Sequence, residues 1–135
     1  MKSNTVQEME SRRADLCTAL AHLGDMRPGS LYQRFTRCGK PGCHCAQPGD
    51  AGHGPIWSVT HEVAGKTLTR TIPPSAVELT RMQIAEYRHF RDLTKELLQV
   101  SERLCDARLA QARATSQEEK KRASKSSSRP KSSRR

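Results

Sequence analysis

Between Val6 and Leu23 apolar residues recur at alternating steps of three and four: Val6, Met9, Leu16, Leu20 and Leu23, with Arg13 filling the missing position. That spacing lays one apolar stripe along a helix, a heptad seam with one charged interruption. Thr5 followed by Glu8 is a capping-box start and Gly24 a C-terminal stop, so the helix is expected between them. The rhythm returns without a break at Phe90, Leu93, Leu97, Val100, Leu104 and Ala107, begun less cleanly by Leu79 and Met82. Pro73-Pro74 ends what precedes, and Ser75 with Glu78 repeats the capping pattern, which predicts a long helix from Ser75 to about Arg113.

Between the helices the pattern changes. Arg27-Pro28-Gly29 is a helix-breaking turn, and Ser30 to Arg37 reads as a short extended stretch. From Ile56 to Ile72 the chain is β-like. With Ala64-Gly65 as a two-residue turn, Trp57 faces Ile72, Val59 faces Arg70 and His61 faces Leu68. Ser58, Thr60, Thr67, Thr69 and Thr71 then form the opposite face. Alanine is an unfavourable first residue for such a turn. Beyond Ala114 the chain is lysine, arginine and serine with nothing apolar to bury, so residues 115–135 are expected as a disordered basic tail. The expected fold is α+β: an N-terminal helix (residues 1–25), a strand, loop and hairpin module (26–75), a long coiled-coil-like helix (76–114) and the tail.

Composition narrows this picture. At 135 residues the chain is one small domain with appendages, too short for a multidomain enzyme or a transporter. With 34% hydrophobic and 4% aromatic residues it cannot bury a large core, so a metal, a coiled coil or a partner must supplement packing. No run approaches the ~20 apolar residues of a membrane span, and no signal-peptide stretch opens the chain. The expected compartment is the cytoplasm, where clustered cysteines read as metal ligands rather than disulfides.

The loop Cys38-Gly39-Lys40-Pro41-Gly42-Cys43-His44-Cys45, followed by His53-Gly54-Pro55, carries the clearest chemistry. Three thiolates and one imidazole suit a tetrahedral structural zinc site, and the glycines let Cys38, Cys43, Cys45 and His53 converge. His44, wedged between two ligands, is expected to point outward. Free thiols or a redox relay are the alternatives, but an unfixed loop without apolar residues would cost conformational entropy with no return. Cys17 and Cys105 sit on the two helices, where unpaired cysteine behaves as a small packing hydrophobe. In an antiparallel pair starting near the hairpin, Cys17 is expected near residues 83–87.

Gly29-Ser30-Leu31, the cysteine motif, His53-Gly54-Pro55, a strand pair and a long helix with Tyr87 together resemble a bacterial and archaeal family of small uncharacterised proteins. The resemblance covers roughly residues 26–105. Family members are often encoded beside transposases or within mobile elements, and commonly carry an aromatic residue directly after His-Gly-Pro; here Ile56 stands there and Trp57 follows. The resemblance implies a metal site on Cys38, Cys43, Cys45 and His53 and a mobile-element setting, with no established activity.

The net charge of +10 is uneven. Residues 26–75 hold six basic against two acidic groups and residues 120–135 eight basic and no acidic ones, while the helical segments are close to neutral. Arg27, Arg34, Arg37, Lys40, Lys66 and Arg70 around the loop, with Lys120, Lys121 and Arg122 opening the tail, are the candidate contacts to nucleic-acid phosphates, DNA before RNA. The tail adds Lys125, Arg129, Lys131, Arg134 and Arg135. No nucleophile elbow, phosphate-binding glycine loop or carboxylate set for nuclease metals is present, so no enzyme is expected. A competing reading is an adaptor: Leu97, Val100 and Leu104 are expected to outrun the shorter first helix, which would make residues 93–107 a homodimer seam or the dock of a foreign helix. A metal- or redox-responsive regulator is a third.

Overall fold

The computed structural model describes residues 5–127, so Arg129, Lys131, Arg134 and Arg135 lie outside the described residues. The chain is α+β: helix α1 (Val6–Ala21), strands β1 (Ser30–Thr36), β2 (His53–Val63) and β3 (Lys66–Ile72), and helix α2 (Val77–Ser127). The first capping box forms as read: the Glu8 amide donates to Thr5 Oγ1 at 3.2 Å and the Thr5 amide to Glu8 Oε2 at 3.3 Å. The second does not. Pro73 and Pro74 impose a 3-10 turn, Pro74–Ala76, ahead of α2, which leaves Ser75 inside the turn rather than at its cap. Glu78 instead accepts from Arg81 at 3.4 Å.

Contacts divide the chain into two compact units. One joins the chain up to Thr18 with that from Thr94 onward; the other is Ala19–Leu93. In the first unit α1 lies along α2 and buries Met9, Leu16, Val100 and Leu104, the last only 1% exposed. Arg12 pairs with Glu96 at 2.6 Å and Arg108 with Glu10 at 2.9 Å. These half-exposed pairs set orientation more than stability.

This corrects the expectation that Leu97, Val100 and Leu104 lack cover. Val100 and Leu104 are buried within the single chain and Leu97 is half-buried. The reason is the connection 22–29, which is not helical. Gly24 lies beside Glu86, and the Arg27 amide donates to the Gln83 carbonyl at 3.2 Å. This strap, and not α1, therefore lies beside residues 83–86 of α2, which α1 was expected to cover. Both Cys17 and Cys105 are exposed rather than packed.

A second correction concerns the end of α2, which continues through Ser127 instead of stopping near Arg113. Alanine, arginine, glutamine, glutamate and lysine are strong helix formers, and Glu118 stands four residues before Arg122. Propensity sustains the helix where burial does not.

In the second unit three antiparallel strands lie in the order β1-β2-β3. The hairpin register is the one expected: Trp57 opposite Ile72, Val59 opposite Arg70, His61 opposite Leu68. Its turn takes Ala64 to φ 51° and Gly65 to φ 80°, the two positive angles that a two-residue hairpin requires. Val59, Ile72, Val77 and Ile84 form the core, with Leu31, Trp57 and Ala76 against it. The start of α2 therefore covers one face of the sheet, and Arg81 adds a cation over the Trp57 ring, 5.7 Å from its centroid. On the other face Ser58 is fully buried and its hydroxyl accepts from Arg34 Nε at 2.9 Å.

Candidate metal centre

The segment from Cys38 to Gly52 contains almost nothing to pack, and its order comes from turns closed on themselves. The Cys43 amide donates to the Lys40 carbonyl, Ala46 to Cys43, Gln47 to His44 and Asp50 to Gln47, at 3.0–3.2 Å. Asp50 then accepts from the Gly52 amide at 2.8 Å, an Asx turn that ends the loop. Arg37 binds the loop from its start. Its guanidinium donates to the Cys45 carbonyl and, at 3.1 Å, to the Asp50 carbonyl.

His53 opens β2 and is paired with Thr36 across an irregularity in the β1–β2 ladder. The glycines on either side are demanded by close approach. A Cβ on Gly52 would stand 2.8 Å from the Thr36 carbonyl oxygen, and one on Gly54 2.8 Å from that of Arg34, and both residues have positive φ. This tight passage holds His53 beside the residues that follow β1 directly.

The four donors expected from sequence do come together. Cys38, Cys43, Cys45 and His53 place one ligand atom each within 4.8 Å of one another, and could hold a metal ion. Cys38 and Cys45 sulfurs are 3.5 Å apart, and Cys43 Sγ is 3.1 Å from His53 Nε2. Cys45 is buried, Cys43 and His53 half-buried, and Cys38 exposed. The Cys38 thiol is lowered from its ordinary value to about 6, first by the Lys40 amide and then by His53, Cys45 and Cys43. At Cys45 the Cys38 amide pulls down, but desolvation and the neighbouring sulfurs of Cys38 and Cys43 outweigh it and push the thiol up. One sulfur is thus prepared as a thiolate, while the inner one resists carrying charge without a cation beside it.

His44 stays out of the donor set. Its Nδ1 faces Asp50 Oδ2 at 3.1 Å, and its ring meets that of His53 edge-on at 4.7 Å. The Gly52 amide, then His44, hold the Asp50 carboxyl below its ordinary range. This buttress, like the Arg37 clamp, was not read from the sequence as part of the site. The Asp50-Ala51-Gly52 turn pattern was its one visible signal.

The candidate phosphate contacts are placed differently from one another. Arg34 and Arg37 spend their guanidinium groups on the chain's own acceptors, Ser58 and the loop carbonyls. Lys40 and Lys66 are exposed on loop and strand, Arg27 and Arg70 line one cleft, and Lys120, Lys121 and Arg122 stand on the exposed end of α2. No helix among the described residues is long and apolar enough to cross a membrane.

No curated protein and no solved structure matches the chain. A family profile does match, over residues 6–82, a span that takes in α1, the strap, all three strands and the four donors and stops one turn into α2. On that match the chain belongs to the family described as Domain of unknown function (DUF6788).

Proposed function

We propose that the protein is a zinc-stabilised, non-enzymatic nucleic-acid-binding accessory protein, with duplex DNA as its partner. Zinc is the ion that suits this donor set. A tetrahedron with Zn–S bonds of ~2.3 Å has edges of ~3.8 Å. The separations of 3.1 Å, 3.5 Å and at most 4.8 Å bracket that edge. Four protein ligands leave no open coordination position, which favours a structural metal over a catalytic one.

The observation that carries nucleic-acid binding is the far part of α2. Every side chain from 108 to 126 is exposed, and these residues include six basic against two acidic groups. A helix segment exposed on all sides gains nothing from packing, and one with this charge suits a polyanion. The mobile-element setting, beside a transposase, rests on the sequence resemblance. The test is titration of a mixed-sequence duplex at several salt concentrations, comparing the full chain with one ending at residue 114. The full chain binds with a steep loss of affinity on added salt, and the shortened chain with a flatter one.

A second reading has its own observation. Leu98 and Leu109 are 61% and 49% exposed, and eleven residues bring them to one face of α2 about three turns apart. That face suits a protein partner or a second copy of the chain. Such binding would persist at high salt, where binding to phosphates fails.

A further inference from the structure

Two open clefts adjoin in the unit Ala19–Leu93. One, of about 350 Å³, is lined by Arg27, Pro28, Val59, His61 and Arg70. The other, of about 500 Å³, has Pro28 and His61 in common with it and adds Tyr87, Arg88 and Glu62 among its walls. Together they make a trough past His61, with the strap on one side, β2 and β3 beneath, and α2 along the other.

Apart from Arg91, which lines the second cleft and has an interaction of its own, the arginines of this unit fall into two groups. Arg34, Arg37 and Arg81 are engaged by other groups of the chain, on Ser58, on loop carbonyls and on Glu78 with Trp57. Arg27, Arg70 and Arg88 make no ion pair with any other described residue, and all three line the trough. They come from three separate elements. Arg27 is set by its amide bond to Gln83, Arg70 by its pairing with Val59, and Arg88 by α2. Even with Arg91 set aside, these three guanidinium groups outnumber the one carboxylate in the lining, that of Glu62, and leave a net cationic surface. Guanidinium is weakly hydrated and matches two oxygens of one phosphate group at once.

We propose that this trough is a phosphate-binding groove that holds the backbone of a nucleic acid through Arg27, Arg70 and Arg88. The proposal rests on the nucleic-acid reading above but uses a site distinct from the basic end of α2. Its openness fits a chain ligand that passes through, where an enclosed pocket would fit a small molecule.

The test measures binding of the full-length, zinc-loaded chain to a mixed-sequence duplex across salt concentrations. Each phosphate contact contributes a slope of about 0.9 in log affinity against log salt. Arg70→Gln with Arg88→Gln lowers the slope by about 1.8 and weakens binding roughly tenfold at about 0.15 M salt. Arg70→Lys with Arg88→Lys keeps most of the slope, and Glu62→Gln strengthens binding a few-fold. Arg81→Gln, which alters a paired arginine outside the trough, leaves the slope unchanged. Zinc content is measured on each variant to show that the fold is intact. A double glutamine variant with intact zinc and the full slope overturns the groove and leaves the helix-based reading standing. A full-length chain that binds no duplex even at about 0.05 M salt overturns both.

Discussion

The Nε2 atom of His53 lies 3.1 Å from the Sγ of Cys43, although ten positions separate them in the chain. Neither residue could hold that distance alone. Cys43 is set by the turn that its own amide closes onto Lys40, and His53 by its ladder position opposite Thr36. The candidate metal centre is therefore a junction between a self-closing loop and the first residue of the sheet's central strand. Disturbing either side is expected to disturb the metal.

The most direct expectation is one zinc per chain. Metal analysis on a reduced preparation returns close to one equivalent, and Cys43→Ser drops it sharply. Circular dichroism of that variant retains the helical signal, since α1 and α2 are stabilised by the seam and by helix propensity. Stoichiometry well under one in the wild type would remove the zinc assignment.

Arg37 is expected to act on the metal without touching it. Its guanidinium fixes the carbonyls of Cys45 and Asp50, so Arg37→Ala frees the loop around the buried ligand. Outer supports of metal ligands are typically worth roughly 10–100-fold in affinity. Competition with a chromophoric chelator measures this. An unchanged affinity would mean that the loop is held by its turns alone.

In the metal-free chain Cys38 is expected to be the most reactive thiol of the loop. Its value lowered to about 6 means that the thiolate predominates above that pH and is lost below it. Alkylation at Cys38 should rise through pH 6 and level off by neutrality, and zinc should suppress it. A rate still climbing beyond about pH 8, as for an ordinary thiol, contradicts the lowered value.

Leu104 carries the joint between the helices of the first unit. It is buried as completely as Leu16, so Leu104→Ala should cost about 2–5 kcal/mol of stability by chemical denaturation. Leu98→Ala, on the exposed face of the same helix, should cost under about 1 kcal/mol. Equal costs would indicate that the seam lies elsewhere.

Gly54 tests the sheet side of the junction. A methyl group there meets the Arg34 carbonyl at 2.8 Å and the backbone has φ 143°, so Gly54→Ala should displace His53 and weaken zinc binding. Gly39→Ala, with nothing within 4 Å of the added carbon, is the contrast: its positive φ makes it a strain on the loop without a clash. Zinc affinity in Gly54→Ala that matches Gly39→Ala would show that the close approach is not what positions the histidine.

Much of the molecule was legible in order along the chain, because short-range physics writes itself into spacing. The seam Val6, Met9, Leu16, Leu20 and Leu23 follows from the turn of a helix, and each member is buried or half-buried. The pairing of Trp57 with Ile72 follows from a two-residue turn and the alternation of strands. The donor set Cys38, Cys43, Cys45 and His53 could be named because those residue types in a loop with no core have few other uses. Tertiary structure decided what depends on where separate elements meet. The strap 22–29 is not helical and takes the place beside residues 83–86 of α2, while Val100 and Leu104 are buried in the other unit, an outcome that periodicity cannot register. The same kind of meeting recruits Arg37 and Asp50 to brace the loop and leaves Arg27, Arg70 and Arg88 without an ion pair among the described residues. An arginine in a sequence shows its charge, but only the packed neighbours determine whether that charge is already answered.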